Sequence, residues 1–138
     1  MITSPMDLFA LAWKPELELI ATIRRGLPVR VFTNLARALK MPESTLARHL
    51  HISYRTIQRK RAHGGLLSPE ISEKIVRVAR VRDLAGTLFT SDDAIIDWLT
   101  TTKAPALHGV PPIAWMDTAT GARQVETLLL GIIHGNVM

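Results

Sequence analysis

The chain has 138 residues and no cysteine, which excludes disulfides, thiolate metal sites and a cysteine nucleophile together. No stretch approaches the roughly 18–20 consecutive apolar residues that a bilayer span requires. The first apolar stretch, residues 8–13, is short, lacks a basic lead-in and runs into Lys14, Glu16 and Glu18, so it does not read as a secretory signal. Zero cysteine suits a reducing compartment, and the expected location is cytoplasmic. Internal repeats and low-complexity tracts are absent, and no segment alternates as a strand does. Without a strand, no glycine-rich phosphate loop has the context it needs. One further absence is local: residues 44–69 contain no aspartate or glutamate.

What is present fits a soluble globular protein, with 47% apolar and 21% charged residues and a net charge of +5. That charge is unevenly placed. Residues 1–43 carry +2, residues 44–69 carry +5, residues 70–90 carry +1 and residues 91–138 carry −3. The acid-free window also holds His49, His51 and His63. A cationic middle suggests a polyanionic partner, against the plainer reading of a solvated basic face, while the acidic end suggests a different role.

Serine and proline punctuate the chain where helices should begin: Ser4-Pro5, Pro42-Glu43-Ser44, Ser53, Ser68-Pro69 and Ser91-Asp92-Asp93. A serine hydroxyl accepts from a first-turn amide, and proline at the first helical position gives up a donor that would be orphaned there. Asp92 and Asp93 would also meet the positive end of a helix dipole. Helices are predicted over residues 6–13, 16–25, 29–40, 43–50, 54–62, 69–88, 92–101, 112–116 and 121–134, with a loop over 101–112. In the longest, Ile71, Ile75, Val78, Arg82, Ala85 and Leu88 recur at three- and four-residue steps, an apolar stripe broken only by Arg82. The fold class is all-α.

Residues 45–60, TLARHLHISYRTIQRK, have the form of a helix-turn-helix. Leu46, Ala47 and Leu50 make the inner face of the first helix, with alanine where the second crosses closely. Ile52 fills the corner, Ser53 caps the second helix and Ile57 points it into the core. Tyr54, Arg55, Gln58 and Arg59 then face outward, and with Ser53, Lys60 and Arg61 they form the candidate DNA-binding set. Arginine pairs with guanine and glutamine with adenine through two parallel hydrogen bonds. Two residues depart from the usual pattern. His51 occupies a turn position that favours glycine, and Lys60 stands where an aliphatic residue is common, so its stem must cover apolar surface.

Other constellations have plainer explanations. Asp92, Asp93 and Asp97 resemble paired carboxylates, but helix capping and solvation account for them. His49 and His51, two apart at a helix end, do not share a face as metal ligands would. No cofactor, metal or catalytic residue is implied. Arg77 and Arg80 read first as a solvated face.

The order of features beyond the motif is more specific. TIQRKRAHGGLLSPEISEKIVRVARVRDLA is followed by DDAIIDWL and then ALHGVPPIAWMDTATGARQVETLLLGIIHG. Over residues 26–135 this resembles the Xre-type antitoxins of RES–Xre toxin–antitoxin systems, the family that includes MbcA- and ParS-type antitoxins. The resemblance implies a non-enzymatic protein with a helix-turn-helix DNA-binding domain (26–90) and a toxin-binding domain (91–138), preceded by a segment (1–25) of unassigned role. It implies a homodimer on operator DNA that represses its own operon, and a neighbouring RES-domain, NAD-consuming toxin whose cleft the C-terminal part covers. Trp98, Leu107, Val110, Trp115 and Met116 are candidate toxin contacts because such side chains bury large area in an interface; His134 joins them on the resemblance alone. The plainer alternative is that the tryptophans fill the tail's own core, which Ile95 and Leu99 favour for Trp98. Two competing functions share the DNA-binding half or lack it: a one-component regulator whose tail dimerises or senses a ligand, and a helical adaptor.

Overall fold

The computed structural model describes residues 14–135; the helix expected over 6–13 lies outside the described residues. Within them the chain is all-helical: α1 (Glu16–Arg25), α2 (Val29–Ala38), α3 (Glu43–His49), α4 (Tyr54–His63), α5 (Pro69–Ala85), α6 (Asp92–Thr101) and α7 (Ala119–Ile133), with 3₁₀ turns at Pro105–Leu107 and Pro112–Trp115. Ser53, Ser68 and Ser91 each accept a hydrogen bond from the amide three residues on, as the sequence punctuation predicts. At α3 the cap position is Pro42 and no side chain caps the helix.

α5 is the spine. Ile75, Val76, Val78, Ala79, Val81 and Ala85 are buried along it, and it packs against α1, α2, α6 and α7. One apolar cluster therefore runs from Leu19 on α1 through the helix-turn-helix to Leu129 on α7. Segment 16–25, unassigned from sequence, contributes Leu19 to this core. Arg82, the break in the stripe, is mostly covered, and its guanidinium lies 3.6 Å from Asp92 at the start of α6.

The joint between α1 and α2 is tied to the joint between α4 and α5. The Leu67 amide donates to the Leu27 carbonyl at 2.8 Å, and the Leu27 amide donates to the buried Ser72 hydroxyl at 2.9 Å. Gly26 makes this approach possible. Its φ is +97°, and a Cβ there would stand 2.2 Å from the Leu67 carbonyl oxygen.

Several helix ends differ from expectation. α5 stops at Ala85 rather than 88, with Gly86 as its C-cap, and α2 stops at Ala38, followed by Lys40 at positive φ. α7 begins at Ala119, not 121, because the Thr118 hydroxyl accepts from the Gly121 amide at 2.9 Å and so acts as its cap. Gly121 therefore lies inside the helix, where a Cβ would come within 2.0 Å of the Trp115 carbonyl oxygen. The expected helix over 112–116 is a 3₁₀ turn, and the expected loop contains a second one at 105–107.

Candidate DNA-recognition helix and toxin-binding unit

α3 and α4 form the helix-turn-helix. Leu46, Ala47, Leu50 and Ile57 are at most 1% exposed and Ile52 is 7% exposed, so the inner face is as read. His51 adopts φ +53°, the left-handed conformation expected of the turn. What steadies that turn was not legible: Lys74 on α5 donates from Nζ to the carbonyls of Leu50 at 2.9 Å and His51 at 3.3 Å. A cation there meets the negative end of the α3 dipole and satisfies carbonyls that a helix end leaves open.

On α4, Arg55, Gln58 and Arg59 are exposed, and no ion pair or side-chain hydrogen bond engages them among the described residues. Ser53 is exposed and acts as the cap. Lys60 is half-buried, and the end of its side chain lies over Gly65. Tyr54 departs from the expected outward set, and Arg61, though exposed, is engaged by an acid. Tyr54 is half-buried and its hydroxyl donates to Glu43 Oε1 at 3.2 Å. The Arg61 guanidinium reaches back to both Glu43 oxygens at 2.7 and 2.6 Å and to Thr33 Oγ1 at 3.1 Å. Thr33 in turn donates to Glu43. Glu43, the last acid before the acid-free window, thus engages two of the seven candidates and joins α2, α3 and α4. Its partial burial pushes the carboxyl up, but the bonds from Thr33 and Arg61 and the Arg61 charge outweigh that and hold it below its ordinary value.

The C-terminal unit sorts its candidates in the same way. Trp98, Leu107 and Met116 are 8%, 2% and 0% exposed. They fill the core between α6, the 3₁₀ turns and α7, which corrects their expected place at a partner surface. Trp98 packs against Phe89 with ring centroids 6.2 Å apart. Trp115 is half-buried, donates from Nε1 to the Leu107 carbonyl at 3.2 Å and lies 6.3 Å from the exposed His108 ring. Val110 and His134 are exposed. The reachable candidates are therefore Val110, Trp115 and His134.

The two units touch at Asp117. Its carboxylate lies 3.7 Å from His51 Nε2 in the helix-turn-helix turn, and its carbonyl accepts from Arg77 at 3.5 Å. Arg77 is also 3.6 Å from Glu73 and mostly covered, so it is not the solvated side chain expected. Among the described residues, no helix is long and apolar enough to cross a membrane.

Two family models match in succession along the chain. Residues 18–80 match the antitoxin Xre-like helix-turn-helix domain, and residues 84–135 match the antitoxin Xre/MbcA/ParS C-terminal toxin-binding domain. Antitoxin Xre of Yersinia enterocolitica is 33% identical, over 85% of this chain and 79% of its own length. Antitoxin Xre of Photorhabdus laumondii is 31% identical over the same shares. A Sphingobium protein named Prs ADP-ribosylating antitoxin is 27% identical over 96% of this chain and 89% of its own. With both halves matched in order and two relatives covering most of the fold, the chain belongs to the Xre family of toxin–antitoxin antitoxins.

Proposed function

We propose that this antitoxin neutralises a RES-domain, NAD-consuming toxin encoded beside it and represses their shared operon by binding operator DNA as a homodimer. Residues 26–90 serve the DNA and residues 91–138 the toxin. The observation that carries the reading is the exposed trio Arg55, Gln58 and Arg59 on the second helix of a well-packed helix-turn-helix. In the major groove, arginine would read guanine and glutamine adenine, with half-sites about 34 Å apart in a two-fold complex. On the toxin side, the exposed Val110 and His134 and the half-buried Trp115 are the side chains assigned to the contact, on a unit whose sequence is net acidic.

Two measurements test the two halves. Arg55→Ala or Arg59→Ala should cost roughly 1–3 kcal/mol of operator affinity if either pairs with a base. Unchanged gel-shift affinity in the double variant would refute the DNA half. For the toxin half, Val110→Glu with His134→Glu should abolish co-purification with the neighbouring gene product and release growth arrest. Full protection by that variant would refute the proposed contact surface, and a neighbouring gene unrelated to RES toxins would refute the partner.

A further inference from the structure

α1 presents two apolar faces, and the core takes only one of them. Leu19 is buried and Ile23 half-buried where the helix packs on α5. Positions 17, 20, 21 and 24, at three- and four-residue steps, share the second face, and Leu17, Ile20, Ala21 and Arg24 are all exposed there. Leu17 is 83% exposed, the most of any large apolar side chain among the described residues. Apolar side chains left in water along one short stripe cost free energy that a docked surface recovers.

The charges bordering the stripe are sorted by end. Glu16 and Glu18 stand in the first turn of α1 and Arg24 and Arg25 in the last, and all four are exposed. Glu16 and Arg24 also edge clefts beside the helix, yet no ion pair engages any of the four among the described residues. The helix dipole favours this order of charge, but it gives no reason for Leu17 and Ile20 to lie open between the two ends. A second copy of the helix, laid antiparallel, accounts for both. It sets the acidic end of each copy against the basic end of the other and brings the apolar stripes together. Ala21, small enough for close approach, then lies beside the two-fold axis. A parallel copy would oppose like charges, and an unrelated partner would need the reversed charge order as well as an apolar stripe.

We propose that α1 is a self-association surface, pairing antiparallel with α1 of a second copy through Leu17, Ile20 and Ala21, with Glu16 and Glu18 facing the Arg24 and Arg25 of that copy. This rests on the homodimer of the reading above and gives it a surface. α1 has 10 residues and is about 15 Å long. A contact of that length buries less than the roughly 800 Å² per partner of a standard interface, so the association is weak and depends on concentration.

Sedimentation equilibrium of the full chain, from about 1 to 100 μM as a weak interface requires, tests this with two variants, separate and mixed. Glu16→Lys, Glu18→Lys makes both ends of α1 cationic, and Arg24→Glu, Arg25→Glu makes both anionic. Each alone should weaken self-association by about tenfold or more, and an equimolar mixture should recover dimers, now of one copy of each. The chain has no cysteine, so an introduced one reports proximity. Ala21→Cys should form a disulfide dimer under mild oxidant far faster than Leu17→Cys, because antiparallel helices centred near Ala21 hold the two copies of position 17 about 10 Å apart, beyond disulfide reach. Charge variants that self-associate as tightly as the parent overturn the surface and leave the homodimer to form elsewhere. Failure of the mixture to associate, or equal cross-linking at both positions, overturns the antiparallel pairing. A parent that stays monomeric throughout and gives no Ala21→Cys cross-link overturns the proposal as well, with residues 1–13 of the same chain then the occupant of the stripe.

Discussion

Glu43 gathers the hydroxyls of Thr33 and Tyr54 and the guanidinium of Arg61 onto one carboxylate, and this sets how α4 is presented. Its folded pKa is depressed, so its contribution to stability is full above the ordinary carboxylate range and is lost as pH falls through the folded value. Glu43→Gln should cost about 1 kcal/mol at neutral pH, since the ion pair is partly solvated and Arg61 half-exposed. In urea unfolding, the gap between parent and variant should close as pH is lowered through and below the ordinary carboxylate range. A gap that persists in acid would mean that packing, not charge, is what Glu43 supplies. His49 has the same sign: burial first, and then the Arg48 charge, lowers its pKa, so protonation below the usual histidine range also works against the fold. The sequence showed the acid-free window but not that the acid beside it would fold back and cancel Arg61.

At the scale of the element, the turn between α3 and α4 carries a left-handed histidine held by two contacts from elsewhere. A non-glycine residue in that conformation costs roughly 1 kcal/mol. His51→Gly should therefore be neutral or stabilising by up to about 1 kcal/mol, the gain reduced by the loss of the weak Asp117 contact and by the added freedom of the unfolded chain. Lys74→Met should destabilise by about 1 kcal/mol, because it removes the cation from the Leu50 and His51 carbonyls while keeping most of the stem. Thermal unfolding of both variants measures the two effects, and a Lys74→Met protein as stable as its parent would show that water serves those carbonyls equally well. The helix-turn-helix itself was readable because its rules are local: small residue at the crossing, apolar corner, serine cap, inward isoleucine. Lys74 was not, since it reaches the turn from 24 residues away and looks in sequence like any surface lysine. The start of α7 was misplaced for a related reason. The sequence places Gly121 at the start of the helix, yet it lies within the first turn, where the Trp115 carbonyl leaves no room for a side chain.

For the whole molecule, charge and composition change near residue 90 and suggest two bodies, but the core does not change there. α5 belongs to both: its buried positions meet α1 and α2 of the DNA-binding half and α6 and α7 of the toxin-binding half, and Asp117 adds a polar tie to the His51 turn. Apolar surface buried on both sides of one helix couples the stability of what lies on either side. Unfolding should then be one cooperative transition. In a Trp13→Phe background, guanidinium curves from tryptophan fluorescence, which reports Trp98 and Trp115, should superimpose on those from far-UV circular dichroism, and Gly121→Ala should shift both together. The shift should be large, about 2–4 kcal/mol, because the clash is with backbone and cannot be relieved by a rotamer change. Two separated transitions, or a Gly121→Ala effect seen by fluorescence alone, would mean that the halves fold independently. The same coupling decides how the toxin contact has to be tested. A chain cut near residue 90 would strip α6 and α7 from α5 and expose its apolar side, so loss of neutralisation there would report unfolding as readily as a missing surface. Substitutions at Val110 and His134 leave the core in place, and they separate the two causes.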